Sequence, residues 1–456
     1  MNRQTNNSIT TADSADFAAK TTSWADRPFA PRRFPFFYGW VIVAFTTLGT
    51  IASIPGQTIG VGVFTDRLIP VLGLSREHLA LAYMFGTVAS SFLLPLVGSL
   101  TDRFGTRVMV VVSALGLALS LYLFSHADLI PTLASSFPLL LALTACAYLL
   151  LRFFGQGALT LVSRVTIAKW FNHRRGLATG ISSIAIAFTF NASPRFLNAL
   201  VLSLDWKNTY LVLAASCGLG MALLGWLFFR DNPEQCNLPM DGHLDPQHFK
   251  TGPSRIPDVT RQFTRQDALK TLCFWTYTVV LSWEALVLTA FAFHVTSIGR
   301  EAGLDSSAAY RPFLAIGLLA AATAAFAGWL SDRIRLRWLL LTMILSQVLA
   351  GLGMLAFSSS PGRFALIAGM GIGNGLFGLL LTITWPRYFG RQHLGAITSV
   401  STSTLVFASA VGPYLFSGLH SLTGSYHTIL LLSTLLPLAF LLPAYKSQNP
   451  QRNLSE

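Results

Sequence analysis

Charge is scarce in this chain. Asp, Glu, Lys and Arg make up 11% of its 456 residues and hydrophobic types 52%. That is more apolar surface than a water-soluble domain of this length can hide, so a soluble globular fold is excluded. Cysteine is scarcer still: Cys146, Cys217, Cys236 and Cys273 show no C-x-x-C spacing, which argues against both a metal site and a disulfide framework. No Gly-Lys-Ser/Thr phosphate loop, H-E-x-x-H or G-x-S-x-G occurs, so the sequence carries no enzyme signature, no cofactor motif and no ATPase of its own. Acids are the rarer charge, 19 against 32 bases, for a net +13. The bases are spread over loops and form no single face, so this charge does not call for nucleic acid.

What is present is apolar length. Twelve runs of about 20 residues, enough to cross a bilayer, lie at 38–64, 78–99, 108–125, 136–165, 176–200, 208–229, 271–298, 312–330, 337–357, 363–386, 395–420 and 425–444. The pattern implies an all-α membrane protein of twelve transmembrane helices in two six-helix halves, 37–229 and 271–445. Residues 1–36 read as a tail, since they mix acids with bases and lack the short apolar core and cleavage site of a signal peptide. The stretch 230–270, rich in Pro, Asp, Gln and Arg, reads as the linker between halves, and 446–456 as a second tail. With the linker and both tails cytoplasmic, 23 of the 32 Lys and Arg fall on the cytoplasmic side and six outside. That bias is expected of a multi-pass protein of the cell (inner or plasma) membrane.

One charged cassette occurs twice. Gly98-Ser99-Leu100-Thr101-Asp102-Arg103-Phe104-Gly105-Thr106-Arg107 returns as Gly328-Trp329-Leu330-Ser331-Asp332-Arg333-Ile334-Arg335-Leu336-Arg337, each time between two apolar runs. A second pair, Trp170-Phe171-Asn172-His173-Arg174-Arg175-Gly176 and Tyr388-Phe389-Gly390-Arg391-Gln392-His393-Leu394-Gly395, precedes the fifth and eleventh spans. Both pairs recur in segments of the same orientation, so the halves are parallel repeats, as in many secondary transporters.

The G-x-L-[ST]-D-R-x-x-x-R cassette between spans two and three, repeated between eight and nine, resembles the signature of the major facilitator superfamily. Phe37-Tyr38-Gly39-Trp40, Lys169-Trp170-Phe171 with Arg174-Arg175-Gly176-Leu177-Ala178-Thr179-Gly180, and Tyr388-Phe389-Gly390-Arg391-Gln392-His393-Leu394-Gly395 are similar to its monocarboxylate-porter branch, which includes oxalate/formate antiporters. The chain departs from that branch in span eight, where 313–330 holds no charge in place of the Asp/Arg pair of some proton-coupled members. The resemblance implies that Asp102, Arg103, Arg107, Asp332, Arg333 and Arg337 pair across the halves as a cytoplasmic gate. It also implies that spans one, four, seven and ten line a central cavity.

Ionisable residues within spans are costly and functional by default. Arg152 and Glu284 lie near the midplane of spans four and seven. Tyr148, Arg152 and Gln156 recur every fourth residue as a polar stripe, and Tyr277 shares a helical face with Glu284. Asn374 sits near the midplane of span ten among Gly371, Gly373, Gly375 and Gly378. Arg152 is open to two roles, a structural arginine tied to backbone carbonyls or a contact for substrate. Arg164 reads as part of the inner loop.

These residues suggest a secondary transporter of a small, monocarboxylate-like organic anion, with proton symport. Arg152 would attract the carboxylate, and its engagement would favour proton uptake on a nearby Glu284. Two alternatives stand beside it: an organic-anion exchanger, and a transport-incompetent sensor on the same fold. The expected partners are the anion, protons and the lipid bilayer, and no oligomer is required.

Overall fold

The structure, a computed structural model, describes residues 24–242 and 259–451. The parts of the tails and linker at 1–23, 243–258 and 452–456 lie outside them. Eleven helices among the described residues are long and apolar enough to cross a membrane, with a shorter apolar helix over Arg175–Phe190. A backbone break inside one long helical stretch resolves the arrangement into twelve spans. They are α1 (Gly39–Leu72), α2 (Arg76–Phe104), α3 (Thr106–Ser125), α4 (Phe137–Trp170), α5 (175–204), α6 (206–228), α7 (Leu272–Glu301), α8 (Pro312–Ser331), α9 (Leu336–Leu355), α10 (Ser360–Phe389), α11 (Leu394–Thr423) and α12 (His427–Lys446). The α5–α6 break is at Asp205, whose φ of 67° leaves the helical region and whose carboxylate accepts from the Asn208 N–H at 3.0 Å, capping α6. Ser75, Thr271 and Ser359 cap α2, α7 and α10 in the same way, accepting from the amides of His78, Phe274 and Gly362.

α1 is interrupted midway by a tight turn over Ile54–Gly56. Pro55 brings no N–H to the helix ladder, and Gly56 allows backbone to meet backbone: a Cβ there would lie 2.7 Å from the Leu151 carbonyl oxygen and 2.8 Å from Gly155 Cα of α4. The approach aims the Gly56 carbonyl at Arg152, which donates to it at 2.8 Å.

The two halves meet along α2 with α11 and along α5 with α8. In lipid, helices gain little from apolar burial alone, and close approach over small residues takes its place. Gly98 lies against Gly395 and Ser399, and Gly176 against Gly328 and Ser331. Deeper along α2 and α11, Ser403 donates to the Ser91 carbonyl at 2.6 Å, and Phe92 packs on Phe407. Both close contacts lie at the end of the bundle that carries the cassettes, here termed the cassette end.

The connecting segments are structural at this end. Arg230, fully buried, donates to the carbonyls of Ala25 and Phe29, and Trp24 packs edge-on against Trp226 at 5.1 Å. Asp241 accepts from the amides of Asn172, His173 and Arg174, while Gln262 accepts from those of Arg391 and Gln392. The described ends of the polar linker therefore hold the turns that precede α5 and α11.

Candidate gate and central site

α5 and α11 begin without caps of their own, since neither Arg174 nor His393 turns its side chain onto the first amides. The caps come from the opposite half. Asp102 accepts from the N–H groups of Gly395 at 2.9 Å and Ala396 at 2.7 Å. Asp332 accepts from those of Gly176 at 3.1 Å and Leu177 at 3.2 Å. A carboxylate placed here meets free N–H donors and the positive end of a helix dipole together. Glycine is needed beneath each one: a Cβ on Gly395 would lie 2.9 Å from Asp102 Oδ1, and one on Gly176 2.8 Å from Asp332 Oδ1.

A buried cation from its own half completes each contact. Lys169 Nζ is 3.8 Å from Asp102 Oδ1, and Arg387 Nη2 is 2.7 Å from Asp332 Oδ1. Burial pushes the Asp332 carboxyl pKa up, while Arg387 and the two amides pull it back. Arg391 spans the halves as well, donating to the Lys169 carbonyl at 2.5 Å and pairing with Glu234 at 2.7 Å.

Among the described residues, the four arginines expected in the gate do not pair across the halves as the resemblance implied. Arg107 is buried among the carbonyls of Trp24, Arg27 and Trp226, with its guanidinium 4.6 Å from the Trp226 ring centre. Arg103 lies over Phe104, and Arg333 over Trp329, whose carbonyl it also bonds. Arg337 lies between Trp338 and Tyr445. The acceptors and rings these arginines use all belong to their own side, whereas each aspartate finds its partner in the other half's backbone. Lys169 and Arg387 were missed, although the sequence signal was available: they hold matching places before Trp170-Phe171 and Tyr388-Phe389.

The expected face-to-face pair of Arg152 and Glu284 is not formed. α4 passes through a π-helical stretch over Arg152–Leu159, and the wider turn breaks the every-fourth-residue stripe. Arg152 points to the Gly56 carbonyl, the Thr87 hydroxyl and the Tyr83 ring, all in its own half. Of its two open roles, these contacts are those of the structural arginine. Tyr148 packs edge-on against Tyr83 in the core of that half. Glu284 is buried beside Gln347 of α9, and a Cβ on Gly373 of α10 would lie 2.7 Å from its Oε1. Tyr277 points elsewhere, to the Tyr388 hydroxyl at 3.1 Å.

Gln156 and Asn374 are brought into equivalent positions. The repeat register that relates Lys169 to Arg387 also relates Gln156 to Asn374. Each is partly accessible, and each leaves its amide oxygen buried with no hydrogen-bond partner among the described residues. With about 1.5 Å of rise per residue, both lie about 20 Å from the cassette end, near mid-bilayer. Two orphaned amides, one from each half, leave hydrogen-bonding capacity uncommitted at this depth. Arg164 was placed in the inner loop by sequence, but it lies within α4, one and a half turns inside Lys169. No group able to hold a metal occurs among the described residues.

A sequence profile of the Major Facilitator Superfamily matches residues 68–413. The chain belongs to that superfamily. No curated protein matches this superfamily member closely enough in sequence to count as a relative. Solved structures match it in fold. The proton:xylose symporter XylE, bound to 6-bromo-6-deoxy-D-glucose, is 14% identical with a TM-score of 0.68, over 92% of this chain and 99% of that one. The human organic anion transporter MFSD10 (TETRAN) is 16% identical with a TM-score of 0.60, over 89% and 99%. The transporter FucP in its outward conformation is 14% identical with a TM-score of 0.64, over 90% and 99%. The family is one of transporters, and this chain is a multi-pass membrane transporter within it.

Proposed function

We propose that this protein moves a small organic anion, monocarboxylate-like, together with a proton by alternating access. The observation that carries the alternating-access part is the reciprocal capping of α5 and α11 by Asp332 and Asp102. These contacts exist only while the cassette end is closed, so they stabilise one state against the other, which is what a gate must do. The Lys/Arg bias makes this end cytoplasmic and the present state closed to the cytoplasm. Opening it would release both caps and separate α2 from α11 and α5 from α8. Arg107, Arg152, Arg230 and Arg337 hold their own halves rigid while the halves move.

The fold itself does not choose the solute, since structures of this shape include a xylose symporter and an organic anion transporter. Two features favour an anion. The resemblance to the monocarboxylate branch lies at the starts of spans one, five and eleven, and the interior cation Arg164 faces no carboxylate among the described residues. Gln156 and Asn374 supply hydrogen bonds to the solute from the two sides.

Glu284 is the carboxyl farthest from any helix end among the described residues and serves as the proton site. It lies against Gly373, the neighbour of Asn374, so it borders α10 and not Arg152. Uptake of labelled lactate, pyruvate, formate, oxalate and benzoate into proteoliposomes tests the whole reading. An inward proton gradient should accelerate uptake of at least one of them from empty vesicles, and Glu284→Gln should abolish that acceleration. Uptake only into preloaded vesicles would make the protein an exchanger, and no uptake of any acid would reject the anion.

A further inference from the structure

We propose that Arg164, with the hydroxyls of Thr398 and Ser401, binds the carboxylate of the transported anion in a layer immediately inside the closed cassette end. This deepens the anion reading and rests on it.

Arg164 is unusual in three respects. It makes no hydrogen bond, ion pair or ring contact among the described residues. No ionisable group among the described residues lies close enough to compensate it. It keeps part of its surface accessible although residues 159–163 and 165–171 on either side are all buried. A helix face turned to lipid would show exposure again at every third or fourth residue. Exposure at one position in a buried run means that the guanidinium borders a space within the protein. An arginine kept there without a partner is costly, which marks it for a ligand.

The same layer holds hydrogen-bond donors with nothing to bond. Asp102 ties Lys169 of α4 to Ala396 of α11 at one depth. Arg164 is five residues in from Lys169 and Ser401 five residues in from Ala396, so both lie about 7.5 Å inside the gate, with Thr398 between. α4 and α11 are in contact over this stretch. The Thr398 and Ser401 hydroxyls are buried without a hydrogen-bond partner, as is that of Thr179, which holds the place on α5 equivalent to Thr398. A fixed cation and uncommitted hydroxyls are the donor set a carboxylate needs. The floor of this layer is the capped gate, so an anion entering from the open side would stop at Arg164. Its negative charge would then lie above the buried cations Lys169 and Arg387.

The test uses the full-length protein in nanodiscs, with equilibrium binding of radiolabelled oxalate, lactate and benzoate at constant ionic strength. Wild type should bind at least one of these. Arg164→Gln should weaken that binding by at least about tenfold, the loss expected for a hydrogen bond to a charged group. Thr398→Val/Ser401→Ala should weaken it less. The double hydroxyl variant keeps the proposal testable if Arg164→Gln does not fold. Wild-type affinity in Arg164→Gln, or in the double variant when Arg164→Gln is unfolded, would overturn the assignment while leaving the anion reading in place. A wild-type protein that takes up xylose or fucose and binds no carboxylate would overturn both.

Discussion

The Asp332 and Asp102 contacts are copies of one design with different strength. Both aspartates cap a helix of the opposite half through two backbone amides over an obligatory glycine. Asp332, however, is bonded by Arg387 at 2.7 Å, and Arg387 also donates to the Ser331 carbonyl at 2.6 Å. Lys169 stands 3.8 Å from Asp102, beyond hydrogen-bond distance. A planar guanidinium can bond a carboxylate and a carbonyl together, whereas an ammonium acts as a point charge. The duplication thus preserved the geometry of the cap and let the supporting cation diverge, so that Asp332 is held by the better-bonded cation.

Removing Arg387 should have the largest effect. Arg387→Gln leaves Asp332 buried without its cation, a loss of about 3–5 kcal/mol for a broken buried pair. The cassette end should then stay open, read as rapid thiol labelling of Ser399→Cys in a background without the native cysteines. Asp332→Asn should open it by less, and Asp102→Asn by less again, because asparagine keeps one accepting oxygen and the change loses about 1.5–3 kcal/mol in all. Equal labelling in the two asparagine variants would erase the asymmetry. Lys169→Gln should cost less than Arg387→Gln, since its ion pair is 3.8 Å long and carries no hydrogen bond. Arg103→Gln and Arg333→Gln should fall within about 0.5 kcal/mol of wild type, because both side chains touch only their own half. A large effect from either arginine would restore the cross-half pairing that the structure does not contain.

The same contrast explains what was legible in the sequence. Apolar runs and two cassettes specify the spans and the parallel repeat, because membrane crossing needs length and duplication leaves matching residues. Asp102 and Asp332 stood out for that reason. Their partners did not, since the amides of Gly176, Leu177, Gly395 and Ala396 belong to the backbone and carry no residue-type signal. Arg152 was misdirected by periodicity: a strict helix sets it beside Tyr148 and Gln156, whereas the π-helical stretch over Arg152–Leu159 alters the spacing to Gln156, and Arg152 stays with Tyr148 against Tyr83 and bonds Gly56. Arg164 lies at the very end of the 136–165 run and reads with the inner loop for that reason, although α4 continues to Trp170.

The central claim is that two aspartates hold the halves together at the cassette end. It is tested most directly by the distance between spin labels at Phe104 and Gln392, exposed positions on opposite halves, measured by double electron–electron resonance in nanodiscs. Wild type should give a dominant short distance, and the Asp102→Asn/Asp332→Asn double variant a population moved to longer distances. An unchanged distribution in the double variant would show that the end closes without the caps, and the account of the gate would be wrong.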